Sequence, residues 1–208
     1  MIITAHGGAL GTGRNSKAYF DNIDKYQADA IEVDIYKKGD LLYLSHWPAP
    51  FKYKKKLTLR YAFELVKQNG KLINCDLKMG GIIKDVIALA KEVGIQDQLI
   101  FTGNVNIDDS DSIDCGQVWF NSVGIEYIKD NVKAIKEKIN GYNNPHYAGL
   151  NVNYRKIDVD FVEECKKYDL KLSVFRIDGG NALTTYGKII DGNITTNQPV
   201  EVRKYVES

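Results

Sequence analysis

Brief apolar runs rich in β-branched residues recur along this chain, and stretches with apolar positions every three to four residues separate them. Ile2–Ala5 is the first such run and reads as a strand. Residues 15–27 follow, with Ala18, Phe20, Ile23 and Tyr26 near helical spacing, which predicts a helix. Residues 30–36, Ala-Ile-Glu-Val-Asp-Ile-Tyr, predict a second strand. Lys38, Gly39 and Asp40 turn the chain into a return strand over 41–45 that leads to His46. Thr58 is an N-cap residue type. Behind it Tyr61, Ala62, Leu65 and Val66 make the apolar face of a helix closed by Asn69 and Gly70. Leu72–Leu77 predicts a strand carrying Asp76, and 82–93 an amphipathic helix ended by Gly94.

The second half continues in the same way. Residues 99–101 and 118–120 predict strands, and the polar, acidic segment 104–115 between them leaves room only for a short helix. Residues 125–139 predict a helix with Ile128, Val132, Ile135 and Ile139 on one stripe. A strand at 149–152 and a helix at 159–168 come next, then strands at 172–175 and 193–195, each with a helical tail. With 41–45 set aside as a hairpin return, eight strands remain, each followed by a helix or a helix-length connection. That alternation implies a parallel sheet. Eight units in 208 residues favour an α/β fold of the closed (β/α)8 TIM-barrel type, here a compact one. An open doubly wound sheet is the rival. However, the glycine-rich stretch from Gly7 to Gly13 fits neither the dinucleotide fingerprint nor the phosphate loop with its lysine. With no finer repeat, low-complexity segment or linker, residues 1–208 read as one domain.

Composition narrows the function classes. Hydrophobic residues make up 44 % and charged residues 26 %, an ordinary globular balance. The net charge of +1 gives no general polyanion-binding surface, so no nucleic-acid partner is expected. No apolar run approaches the ~20 residues of a transmembrane helix, and the N-terminal run is too short for a signal peptide. Cys75, Cys115 and Cys165 are odd in number and widely spaced, which argues against a disulfide scaffold or a zinc cluster. They suit a reducing compartment, and a cytoplasmic location is expected.

The candidate chemistry lies at the strand ends. Glu32 and Asp34 sit two apart on one strand and therefore share a face. Two like charges on an apolar strand call for an offsetting cation or for exposure on an edge strand. In a barrel, His6, Glu32, Asp34, His46, Asp76 and Lys78 all meet at the C-terminal rim, where active sites form. Three carboxylates without a sulfur ligand make a hard oxygen site, suited to Mg²⁺ or Ca²⁺. The two histidines are left for acid–base work, and Lys78 offsets phosphoryl charge, so a small phosphodiester is the expected substrate.

These stretches resemble the glycerophosphodiester phosphodiesterase family. The matching motifs are Ala5-His6-Gly7-Gly8, Glu32-Val33-Asp34, Leu44-Ser45-His46-Trp47, Asp76-Leu77-Lys78 and Thr196-Asn197-Gln198-Pro199. The resemblance implies a TIM barrel, one divalent cation on Glu32, Asp34 and Asp76, and acid–base catalysis by His6 and His46. It also implies attack by a neighbouring substrate hydroxyl to give a cyclic phosphate that is then hydrolysed.

This chain departs from the family pattern in four ways. Gly7 stands where the family has a phosphate-binding arginine, and Arg14 stands where it has a glutamate, so Arg14 either reaches the phosphate from the next loop or is a solvated loop arginine. Asp76 replaces a glutamate, and Asp76-Leu77-Lys78 also looks like the related venom phospholipase D enzymes, which cleave or cyclise sphingolipid and lysolipid head groups. Trp47 replaces an aspartate. The usual substrate-capping insertion between His46 and Asp76 is missing. Residues 47–56, Trp-Pro-Ala-Pro-Phe-Lys-Tyr-Lys-Lys-Lys, line the resulting opening. Their aromatics are expected to pack back on the barrel, with contact to a phospholipid head group as the alternative. Phe175 stands where the family has a tryptophan and is expected to wall the pocket, with Trp47 as a further substrate contact. Trp119 and residues 151–153 either line the pocket or pack and cap, His146 has no assigned role, and Cys75 faces the core. A catalytically dead barrel that binds a phospho-ligand is the reading from another class, favoured by Gly7 and opposed by the two histidines.

Overall fold

The computed structural model describes residues 1–106 and 113–208. The chain runs β1 (Ile2–Ala5), α1 (Lys17–Phe20), β2 (Ala30–Lys38), β3 (Leu41–Leu44), α2 (Leu59–Asn69), β4 (Leu72–Leu77) and α3 (Ile83–Val93). It continues through β5 (Leu99–Gly103), β6 (Gln117–Phe120), α4 (Val132–Asn140), β7 (Tyr147–Asn153), α5 (Val159–Lys167), β8 (Lys171–Phe175), α6 (Gly180–Tyr186), β9 (Asn193–Thr196) and α7 (Pro199–Val206). Strands β2, β4, β5, β6, β7, β8, β9 and β1 pair in that order, all in parallel. β1 pairs back to β2 through Thr4 with Ala30 and Ala5 with Ile31, which closes the ring and excludes the open sheet. β3 lies outside the ring, antiparallel to β2. The fold is a (β/α)8 TIM barrel. The passage from Leu44 to Leu59 holds one short 3₁₀ turn, Tyr53–Lys55, and no capping subdomain.

Strand alternation gives the barrel two different faces. Outward residues such as Ile31, Val33, Ile73 and Cys75 pack under Phe63 and Val66 of α2 and Val86 and Ala90 of α3. Burying each of the larger side chains contributes about 2–3 kcal/mol. Inside, Ala30, Ile100 and Trp119 form a small apolar floor. One step toward the strand ends the lumen turns polar. There Thr4 Oγ1 donates to Asn193 Oδ1, Asn193 Nδ2 to Ser173 Oγ, Ser173 Oγ to Asn151 Oδ1, and Asn151 Nδ2 to Asn121 Oδ1, at 2.8–3.0 Å. Thr4, Asn193, Ser173 and Asn151 partner one another along this hydrogen-bonded row, so their burial is tolerated.

Two predicted helices differ. Residues 15–27 do not form one helix. Asn15 takes a left-handed φ of 51°, α1 is a single turn capped by Ser16, and a 3₁₀ turn, Ile23–Tyr26, follows. Tyr19 is the reason. Its hydroxyl donates to Ala5 O at 2.7 Å and accepts from the Glu32 N–H at 3.1 Å, so the segment is pinned across β1 and β2. Residues 125–139 are α-helical only from Val132, after a 3₁₀ turn, Lys129–Asn131. Ile128 is extended and 44 % exposed, and Asn131 Nδ2 donates to Glu126 O, a side-chain bond that competes with a helical turn. The expectation for 104–115 falls largely outside the described residues. Trp119 belongs to the floor, His146 Nδ1 lies 2.9 Å from Gly116 O, and Cys75 is fully buried in the core.

Candidate active site

Parallel register sets the acidic groups. Glu32 lies beside Asn74 and Asp34 beside Asp76, so all four side chains face the lumen. Carboxylate oxygens of Glu32, Asp34 and Asp76 lie within 4.8 Å of one another. At that spacing each charged pair repels by roughly 3–4 kcal/mol at an effective dielectric near 20. Lys78 offsets part of this. Its Nζ lies 2.8 Å from Asp34 Oδ1 and also bonds Asp76 Oδ2. Burial would lower the Lys78 pKa, but Asp76 and Asp34 raise it, so the ammonium stays charged.

The three carboxyls differ in state. Burial pushes Asp34 upward, yet Lys78, Asn15 and His46 together hold it below the usual carboxylate range. Burial raises Asp76 in spite of Lys78. Burial, followed by the Asp76 and Asp34 charges, raises Glu32 well above its ordinary value. Among the described residues no hydrogen-bond donor reaches the buried Glu32 carboxyl. A buried carboxyl that its acidic neighbours make hard to ionise fits a cation, whose charge would favour the ionised form, and three oxygen donors fit a hard divalent ion.

The loop after β1 places His6 and Arg14. The His6 N–H donates to Thr196 O at 2.8 Å, and Gly8 and Ala9 turn back onto His6 O. Gly7 lies flush on β2, where a Cβ would stand 3.2 Å from Glu32 O. Asn15 then returns the loop to β2: its Nδ2 donates to Asp34 Oδ2 at 2.7 Å and its Oδ1 accepts from the Asp34 N–H at 3.0 Å. His6 Nδ1 is buried without a partner. Burial, then the Arg14 and Arg176 charges, lower the His6 pKa to about 4, so its ring is neutral at pH 7. His46 enters from the hairpin. The Ser45 N–H donates to Asp34 O, and His46 Nδ1 lies 3.3 Å from Asp34 Oδ1.

A cavity of about 480 Å³ opens at this rim, lined by His6, Arg14, Glu32, His46, Asp76, Lys78 and Phe175. Asn151 and Asn153 also line it. Asp34 is covered by its partners and does not line the cavity. Trp47 does not reach it either; it stands edge-on to His46, 4.8 Å between ring centroids, beside an adjoining groove. The expectation that the aromatics of 47–56 pack back on the barrel is overturned for Trp47, 73 % exposed, and Phe51, 97 % exposed. Tyr53 alone of them turns inward, 5.9 Å from Tyr43.

Three further site groups carried no expectation. Arg176 lines the cavity together with Arg14. Asn15 clamps Asp34. Asp178 holds the end of β9, accepting from the Asn197 N–H at 2.6 Å and Asn197 Nδ2 at 2.9 Å. Arg176 immediately follows β8, and its position after a barrel strand was the available signal.

No family model and no curated protein sequence matches this chain. Solved structures do. An Oleispira antarctica phosphodiesterase in complex with the product sn-glycerol-3-phosphate superposes with a TM-score of 0.76 at 19 % identity, covering 100 % of this chain and 97 % of that one. A glycerophosphodiester phosphodiesterase from Parabacteroides distasonis gives 0.76 at 16 % identity, over 99 % and 96 %. Another from Agrobacterium tumefaciens gives 0.71 at 15 %, over 98 % and 99 %. The likeness runs nearly end to end in each case, and at these identities it establishes the shared feature as the fold: this chain is a (β/α)8 barrel similar to those of glycerophosphodiester phosphodiesterases.

Proposed function

We propose that this barrel mouth hydrolyses glycerophosphodiesters to glycerol 3-phosphate and an alcohol, using one divalent cation, Mg²⁺ or Ca²⁺. The observation that carries the reading is the convergence of three carboxylates within 4.8 Å of one another with two histidines and Lys78 at one cavity mouth. The glycerol 3-phosphate in the Oleispira complex supports the substrate class. Residues 1–208 are read as one such domain in a reducing, cytoplasmic setting, supported by three free, buried cysteines.

Glu32, Asp34 and Asp76 would hold the cation, which when bound supplies positive charge to the phosphoryl oxygens. Lys78, Arg14 and Arg176 line the cavity as the remaining positive groups and bind the phosphoryl group, the two arginines standing in for the side chain that Gly7 lacks. His6 is neutral and lines the cavity, so its ring takes the proton from the glycerol hydroxyl that attacks phosphorus. His46, oriented by Asp34, gives a proton to the departing alcohol oxygen as its bond to phosphorus breaks. The product of this step is a cyclic phosphate. Water then opens it with the roles reversed: His46 removes the water proton and His6 returns its own to the glycerol oxygen. Phe175 walls the cavity.

Phosphorus NMR of glycerophosphocholine incubated with protein and Mg²⁺ or Ca²⁺ tests this. Glycerol 3-phosphate is expected, with His6→Ala and His46→Ala each slowing its release by about 10²-fold or more. A cyclic phosphate that persists would reassign the barrel to phospholipase D-like phosphotransfer. Glycerol 3-phosphate binding without turnover would leave a ligand-binding barrel.

A further inference from the structure

The loop between β3 and α2 carries a patch that the chemistry above leaves unused. Residues 41–63 contain no Asp or Glu, and Lys52, Lys54, Lys55 and Lys56 fall in their middle. All four lysines are exposed, and among the described residues none meets a carboxylate. Phe51 and Trp47 stand beside them, 97 % and 73 % exposed. Two large aromatics left in water on one loop mark an interaction surface.

The loop is held in place. Ser45 Oγ donates to Trp47 O at 2.7 Å and the Ala49 N–H to Tyr43 Oη at 3.3 Å, while Pro48 and Pro50 fix its backbone. A groove of about 480 Å³ runs along it under Leu44, Trp47, Pro48 and Phe51, sharing Arg14 and His46 with the catalytic cavity. The net charge of the chain is only +1, so the basicity is local to this loop.

We propose that residues 47–56 seat the protein on an anionic phospholipid surface. Trp47 and Phe51 enter the headgroup–acyl boundary, and the lysines meet lipid phosphates. The complementarity lies in the pairing of the two features. A soluble acidic partner would satisfy the lysines and leave Phe51 in water, whereas a bilayer interface accommodates both. This goes beyond the diester-cleaving reading and does not depend on it.

Tryptophan fluorescence tests the proposal directly, because Trp119 is buried in the barrel floor and Trp47 is the exposed reporter. Phosphatidylcholine vesicles containing phosphatidylglycerol should shift the emission to the blue, and brominated lipid should quench it. Lys54→Ala/Lys55→Ala should lower partitioning roughly 30-fold, about fivefold per lysine. Phe51→Ser should lower it roughly tenfold. Both variants should turn over soluble glycerophosphocholine at the unmodified rate, and Glu32→Gln should bind vesicles as the unmodified protein does. The docking surface and the catalytic reading therefore fail separately. No shift with any vesicle, or partitioning indifferent to these variants, would overturn the proposal. Capture by polyglutamate without a response to vesicles would overturn it in favour of an acidic macromolecule.

Discussion

Asp34 is the most tightly held group of the barrel mouth. Asn15 takes one oxygen, Lys78 and His46 share the other, and the backbone N–H is capped by Asn15 again. Asn15→Ala removes both bonds of the clamp and leaves the buried Asp34 N–H unpaired, a loss of about 1–3 kcal/mol. Outer partners of metal ligands commonly set affinity, so calorimetric titration with Mg²⁺ or Ca²⁺ should show binding weakened about 10–100-fold. His6 gives a second prediction at this scale. An unfolded histidine protonates near pH 6.5, but folded His6 does so only near about 4. As pH falls through that window the unfolded chain takes up a proton that the folded chain refuses. Stability is therefore lost between pH 6.5 and 4, by roughly 3 kcal/mol. Urea unfolding at both ends of the window should show His6→Gln losing that much less than the unmodified protein. Turnover should keep its acid limb well below the ordinary histidine range.

At the scale of elements, the strand ends depend on close backbone approach. Gly103 closes β5 at a φ of 84°, and a Cβ there would fall inside the van der Waals surfaces of Asp76 Oδ1 and Leu77 O. Gly103→Ala should displace Asp76 and lower both cation affinity and stability. Thr58→Ala, which removes the α2 cap on the Tyr61 N–H, should cost about 1 kcal/mol in stability and leave turnover unchanged. Thermal unfolding and turnover of the two variants separate the cases. Legibility of the elements followed the same divide. The cap at Thr58, the stop at Gly70 and the strand carrying Glu32 and Asp34 were readable because local chemistry decides them. The break at 15–27 was not, because it rests on Tyr19 bonding to two strands distant in sequence. The exposed Trp47 and Phe51 were misread because residue type says nothing about which way a proline-stiffened loop turns its side chains.

The whole molecule separates stability from chemistry by layer. Helices bury the outer face of the barrel, a small apolar floor closes one end, and the lumen above it is polar. Asn74, Thr102, Asn151, Ser173 and Asn193 sit buried where many barrels carry branched aliphatics. Strand count and order made the barrel readable, and alternation along β2 placed two carboxylates in its mouth. Residues 151–153 stood out as a strand end, but the pairing of Asn151 with Ser173 and Asn193 and the place of Arg176 were hidden because they arise only when the ring closes and distant strands meet. The central claim is a cation-dependent phosphodiesterase at that mouth. Its most direct measurement is the hydrolysis of glycerophosphocholine and bis(p-nitrophenyl) phosphate in EDTA, Mg²⁺ or Ca²⁺, with Glu32→Gln beside the unmodified protein. Turnover restored by one of the two cations, absent in EDTA and lost in Glu32→Gln, is the expected result. Turnover that survives EDTA, or that Glu32→Gln retains in full, would contradict it.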